Sequence, residues 1–240
     1  MNYLLFLNCI IGLLLLSNQT SAQSPENFSD LQEYVDTDPK KVLAITDSLI
    51  SEYQKQPNFL AEIYLNRSEA YYFLGEIEKS RATLSLALEL NNELISNYFK
   101  AYINQYQGLN YSYLGQPDSA LYLHKNALKY FKNLKDTQEI SNSYYNIARS
   151  YRTLTDYDNS ILYFDSCYSI DLIKQDSFSL SHTLSLIGQL HNQFYDHQHA
   201  REFYEKALNY VNDQDPRQRC LIYTNIGVSF LQQEKYDSTA

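Results

Sequence analysis

Tryptophan is absent from these 240 residues, and glycine (6), proline (5), cysteine (3) and methionine (1) are scarce. Valine is confined to Val35, Val42, Val211 and Val228. A β-sandwich or barrel draws on β-branched residues and on many Gly/Pro turns, so these shortages argue against an all-β fold. They also exclude collagen-like, mucin-like and linker-rich chains. Positive charge is short as well: 19 Lys and Arg face 28 Asp and Glu, for a net charge of −9. A nucleic-acid binder needs a basic face, which this balance does not supply, and the net field repels anionic membrane surfaces. What the chain does have is 44% hydrophobic residues and 24 tyrosines. That is the composition of a globular protein of one or two domains.

The N-terminus stands apart. Tyr3 to Leu16 form an apolar run interrupted by Asn8, Cys9 and Gly12, followed by a polar stretch that ends at Ser21-Ala22. The run is shorter than the roughly 20 residues that span a bilayer. With its small residues it reads as a secretory signal, residues 1–22, cleaved after Ala22. The missing Lys or Arg ahead of the core departs from that pattern, and an uncleaved anchor or a buried terminal helix is the competing reading. Cys9 lies inside the run after Asn8, which argues against a lipoprotein site. Cys167 and Cys220 then remain as two isolated cysteines, too few for a disulfide framework, and read as reduced helix residues.

From Ala61 onward the chain resembles itself. Segments 61–90, 101–130, 141–170 and 181–210 align, and 220–240 begins a fifth copy that stops part-way. Three columns hold only small residues: Ser68, Gly108, Ala148, Gly188 and Gly227; Ser80, Ala120, Ser160, Ala200 and Thr239; Ala87, Ala127, Cys167 and Ala207. Helices approach closely only where side chains are small, so these columns mark helix–helix crossings. Bulky columns lie beside them: Tyr71, Tyr111, Tyr151, His191 and Phe230, then Leu84, His124, Phe164 and Tyr204. Each segment reads as helix, short turn, helix, with apolar positions at spacings of three, four and seven. Polar breaks at 91–93, 135–137, 174–176 and 212–216 separate the segments, and Pro117 sits in a helix's first turn.

These columns resemble the tetratricopeptide repeat, in a long form with a period of 40 residues. The resemblance covers 58–240, with Tyr64, Tyr144 and Tyr223 in the column usually held by Trp. It implies an all-α fold, a right-handed α-solenoid of antiparallel helix pairs. Residues 23–57 read as a degenerate N-terminal capping pair, with a helical face at Phe28, Leu31, Tyr34 and Val35 and a capped start at Asp38-Pro39. At the other end the fifth pair is cut near the start of its second helix, leaving Ile226, Val228 and Phe230 short of partners. The chain is therefore expected to continue into a longer product or to be completed by a partner, including a second copy of itself.

No catalytic constellation emerges. There is no phosphate-cradling loop, no Cys-x-x-Cys, no His-Glu-x-x-His and no Gly-x-Ser-x-Gly. His191, His197 and His199 cluster, but the repeat frame assigns the first to a packing column and the others to a helix start, so no metal and no cofactor are expected. The resemblance implies instead a concave groove lined by first helices. Its candidate peptide-binding residues are Tyr72, Tyr102, Tyr113, Tyr145, Arg149, Arg152, Gln189 and Asn192. Tyr72 lies beside Phe73 in the groove columns, which also include Glu62, Glu69 and His182. Tyr suits such a surface, with a large contact area and a polar tip, although many tyrosines here will simply pack. Arg149 and Arg152 are three apart on one helical face: either they pair with Glu62, Glu69 or nearby aspartates, or they receive a ligand carboxylate. The carboxylate clamp known in the family also needs lysines on first helices, and none falls there in this frame.

The reading is an exported, non-enzymatic scaffold of the periplasm or cell envelope that binds a protein or peptide, with the arginines orienting an acidic group. It has no nucleic-acid partner and meets the membrane only through its signal or a missing C-terminal region. The alternative is the extracytoplasmic sensor of a membrane-bound signalling regulator, with a histidine kinase or DNA-binding output after a transmembrane helix.

Overall fold

The computed structural model describes residues 31, 34–35, 37–90, 97–212 and 215–237. The expected signal at 1–22, Phe28 of the capping face, the break at 91–93 and Thr239 lie outside these described residues. Among them there are ten α-helices and no strand: α1 Pro39–Glu52, α2 Pro57–Phe73, α3 Ile77–Glu89, α4 Asn97–Tyr113, α5 Pro117–Leu134, α6 Thr137–Thr153, α7 Tyr157–Lys174, α8 Ser177–Gln193, α9 His197–Leu208 and α10 Pro216–Asp237. No described helix is long and apolar enough to cross a membrane.

The helix starts follow from local chemistry. Asp38, Asp136, Asp156, Asp176 and Asp196 each accept, through the side chain, the backbone N–H three residues on. A carboxylate there satisfies a donor that the helix itself leaves open and complements the helix dipole. Proline opens α1, α2, α5 and α10, where its missing N–H breaks no helical bond. Each first helix starts four residues ahead of its aligned segment, which puts Lys100 on the first turn of α4. The expectation that first helices carry no lysine is corrected at this position.

The helices form two compact units, 1–134 and 135–240. In unit 1, α2 and α3 form one antiparallel pair and α4 and α5 another, with α1 laid on α2. The core under α1 joins Leu31, Val35, Val42 and Leu49 to Leu60 and Ile63. In unit 2, α6 pairs with α7 and α8 with α9, and α10 packs on α9. Its core runs from Phe164, Leu186 and Ile187 to Tyr204, Val211 and Ile222.

The crossings sit where the small columns fall. Ser68, Ser80, Ala87, Ala120, Ala148, Ser160, Ala200 and Ala207 are fully buried, and Ala127 and Cys167 nearly so. Ser68 and Ser80 share a hydrogen bond of 2.8 Å across their pair, and Ser160 Oγ donates to the Ala148 carbonyl at 3.0 Å. A Cβ on Gly108 would lie 2.5 Å from the His124 ring, and one on Gly188 would lie 2.7 Å from Tyr204. The bulky column therefore fills the space the missing side chains leave.

The fifth copy differs. A Cβ on Gly227 would meet nothing within 4 Å. In α10, helix continues without a break through Glu234, the position where the other pairs turn. Gly75, Gly115, Thr155 and Tyr195 occupy the left-handed turn position of the other copies, whereas Glu234 is helical. Leu221, Tyr223, Phe230 and Leu231 are exposed, Phe230 by 57%.

Candidate functional site

The eight groove candidates separate into distinct environments. In unit 1, the half-buried Tyr72 ring stands edge-on to Phe73 and to Tyr113, at centroid distances of 5.9 and 6.4 Å. Tyr113 is 63% exposed. Together the three form an aromatic face where α2 and α4 end. Tyr102 is engaged elsewhere, packed against Tyr98 at 4.7 Å and Phe131 at 5.1 Å. It belongs to the packing class of tyrosines. Two shallow clefts of unit 1, of 470 and 310 Å³, share Gln107 and Tyr111 and contain none of the candidates. Their lining is mixed and offers no concentration of charge.

Unit 2 brings four candidates together. Tyr145, Arg149 and Arg152 follow one another on α6 at spacings of four and three, which places them on one face. From α8, Gln189 accepts a hydrogen bond from Arg152 Nη1 at 2.8 Å. The Arg149 guanidinium lies 5.5 Å from the Tyr145 ring centre, and His182 of α8 lies 5.4 Å from the same ring. Gln193 adds a bond from its amide to the Arg152 carbonyl at 3.3 Å, tying the two helices at this face. Asn192 points away: its amide oxygen meets His197 Nδ1 at 2.8 Å. It holds the α8–α9 turn together.

The electrostatics of this face are one-sided. Among the described residues neither Arg149 nor Arg152 pairs with a carboxylate within 4.0 Å, whereas Arg67 and Arg81 pair with Asp47 and Glu78. Burial and the neighbouring Arg149 charge lower the Arg152 pKa. Partial desolvation of its ring and the same two guanidinium charges hold His182 below its ordinary value. Both shifts have burial as their larger cause and the neighbouring guanidinium charge as the next. Burial raises the Tyr145 hydroxyl pKa, with Arg149 and Arg152 opposing.

The two cysteines differ in environment. Burial and the Asp171 charge push the Cys167 thiol up to about 12, so it is a packed side chain and no nucleophile at neutral pH. Cys220 is an exposed free thiol.

Sequence spacing put the two arginines on one face and Gln189 in a groove column, and the structure brings Gln189 to Arg152. The spacing passed over Lys100, through the frame offset, and left His182 outside the eight candidates. The signal for His182 was its groove column one position past Ser181.

A family model of the tetratricopeptide repeat matches residues 61–94 and 141–173. No curated protein matches the chain significantly. Among solved structures, the apo form of RapI superposes with a TM-score of 0.73 at 13% identity, covering 88% of this chain and 61% of RapI. A signal-transduction ATPase with numerous domains and a tetratricopeptide repeat sensor, from Pyrococcus horikoshii, gives 0.71 at 17% identity, covering 86% of this chain and 31% of that protein. NprR in complex with its cognate peptide NprX gives 0.67 at 16% identity, covering 95% of this chain and 68% of NprR. This chain thus spans about a third of the ATPase and about three fifths of RapI. At these identities the likeness is one of fold.

Proposed function

From the premise that this is a protein built of tetratricopeptide repeats, we propose that it is a non-enzymatic scaffold that binds polypeptide segments along its first helices. In this reading the α6–α8 face of unit 2 receives an acidic group of the ligand, a side-chain carboxylate or a chain terminus. The observation that carries it is the pair Arg149 and Arg152, which share one face with Tyr145 while no described carboxylate neutralises them. Each charge-assisted hydrogen bond to a carboxylate contributes about 1.5–3 kcal/mol, and Gln189 already holds Arg152 in place for it. Tyr145 offers the ligand's backbone or an apolar side chain a rigid ring beside the charge. Support for a peptide ligand comes from NprR, a structure of similar fold holding its cognate peptide. Action in the cell envelope follows from the sequence reading of residues 1–22 as an export signal.

The test is fluorescence anisotropy with a library of short peptides ending in a free carboxylate and their amidated twins. The free acids should bind the more tightly. Arg149→Ala/Arg152→Ala should weaken the best of them by tenfold or more, with helical content unchanged by circular dichroism. Equal binding of acids and amides by the parent protein would remove the acidic-group reading.

A second reading, the sensor portion of a larger signalling regulator, is favoured by the multi-domain ATPase, in which a comparable repeat array is named as a sensor. A transcript continuing past residue 240 into an apolar segment of about 20 residues would support it.

A further inference from the structure

The turn between α8 and α9 gathers three side chains of metal-binding type. His191 Nδ1 lies 3.0 Å from Asp196 Oδ2, and His199 Nδ1 lies 2.8 Å from the same oxygen. One ligand atom from each residue lies within 4.8 Å of the other two. Around a tetrahedral ion with bonds of about 2.0–2.2 Å, ligand atoms stand about 3.3–3.6 Å apart. The donors are therefore near that arrangement before any ion arrives.

The scaffold holds them there. The His191 ring stacks on Phe203 at 5.1 Å and 19°, and meets Tyr157 edge-on at 5.7 Å. The Asp196 N–H donates to the His191 carbonyl at 2.9 Å, which fixes the turn. The pocket is graded from inside to outside: the side chains of His191, Asp196 and His199 are 11%, 39% and 56% exposed. An ion there would be anchored on a buried ligand and keep an open side for water or another donor. The Tyr157 hydroxyl, 3.4 Å from His191 Nδ1, borders the same space.

The other repeats show that this turn does not need histidine. Asp156 occupies the position of Asp196, caps α7 by accepting the Asn159 N–H at 3.2 Å, and takes a second bond from the Asn159 amide at 2.7 Å. In the first pair the same two positions form the Glu76–Lys79 ion pair at 2.6 Å. Tyr71 and Tyr151 stand in the His191 column. Capping and packing are thus satisfied elsewhere by Tyr with Asn or Lys. Only the fourth copy replaces both with imidazoles facing one carboxylate. The sequence pattern had paired His191 and His199 with His197, whose Nδ1 is turned instead to Asn192.

We propose that His191, Asp196 and His199 form a binding site for a divalent first-row transition ion, with Zn²⁺ as the representative. Two imidazoles and one carboxylate suit such an ion, while Mg²⁺ and Ca²⁺ require oxygen-rich shells. Bound between the end of α8 and the start of α9, the ion would pin the fourth helix pair.

The experiment is isothermal titration of the full 240-residue chain with Zn²⁺, followed by Co²⁺ substitution. One saturable site per chain is expected, with the intense visible bands of four-coordinate Co²⁺. His199→Asn recreates the Asn159 arrangement of the third pair, and Asp196→Asn keeps a good capping residue. Each should retain the fold by circular dichroism and weaken Zn²⁺ binding at least tenfold. Asp156→Asn, the matching change one pair earlier, should leave binding unaltered. The proposal is overturned if the parent chain shows no saturable site, or if folded His199→Asn and Asp196→Asn proteins bind as tightly as the parent. The outcome is independent of peptide binding at Arg149 and Arg152.

Discussion

In unit 1 the turn inside each helix pair rests on glycine. Gly75 and Gly115 take φ of 73° and 69°, and the residue after Gly75 makes no side-chain cap. In unit 2 the same position holds Thr155 and Tyr195, with φ of 59° and 63°. An L-residue there gives up about 1–2 kcal/mol. Asp156 and Asp196 follow directly, and each caps the next helix, a contribution of about 1 kcal/mol. The same turn is thus made once by backbone freedom and once by a carboxylate that offsets strain. In the second solution the carboxylate that caps the helix is also the group that Asn159 and His199 approach. The difference shows how a structural substitution creates the raw material for a ligand site.

The sharpest way to separate the units is through their crossings. Gly188→Ala drives a Cβ to within 2.7 Å of Tyr204 and 3.0 Å of the Ala200 carbonyl oxygen, a backbone atom that cannot swing aside. A loss of about 2–3 kcal/mol in chemical denaturation of unit 2 is expected. Unit 1 should show a pH dependence of its own. Burial pushes the Glu62 carboxyl up to about 7 from an ordinary 4.5. The unfolded chain then releases this proton first, so stability falls as pH rises from about 4.5 to 7 and levels off above. The half-buried side chain keeps some water, and the fall should be about 1–2 kcal/mol. Denaturation midpoints of Glu62→Gln across that range should be flatter than the parent's by this amount.

The turns themselves give smaller and opposite effects. Gly115→Ala should lose about 1 kcal/mol, since its φ is positive, while Thr155→Gly should gain up to about 1 kcal/mol by relieving strain. Thermal midpoints moving in the same direction for both would break the comparison. The smallest effect is expected at Gly227, where a Cβ meets nothing. Gly227→Ala should raise stability by about 0.5–1 kcal/mol through helix propensity alone.

The crossings were legible because a period of 40 residues repeats the same small positions, and steric exclusion acts on residue size whatever the neighbours. Ser68, Gly108, Ala148 and Gly188 all lie where that rule put them. Gly227 obeys the same pattern in sequence, yet among the described residues a Cβ there meets nothing within 4 Å. Periodicity alone does not report that α10 stays helical through Glu234, because the same column holds turn residues in the other copies. At the candidate site, the shared face of Tyr145, Arg149 and Arg152 was legible from spacing. The choice between pairing with Glu62 or Glu69 and facing outward without a carboxylate was not, since it depends on which side chains of other helices reach them. The same limit hid Asp196, which caps α9 and is also the group between two imidazoles.

Residue size and spacing along one helix are properties of the chain, and they determined the paired helices, their crossings and the face that carries the arginines. Charge neutralisation and donor convergence are properties of side-chain ends contributed by different segments. Only folding brought Gln189 to Arg152 and turned His197 away from His191 and His199. The physical reason is range: backbone geometry fixes where a Cβ points, whereas a few ångströms at the tip of a long side chain are set by whatever packs beside it.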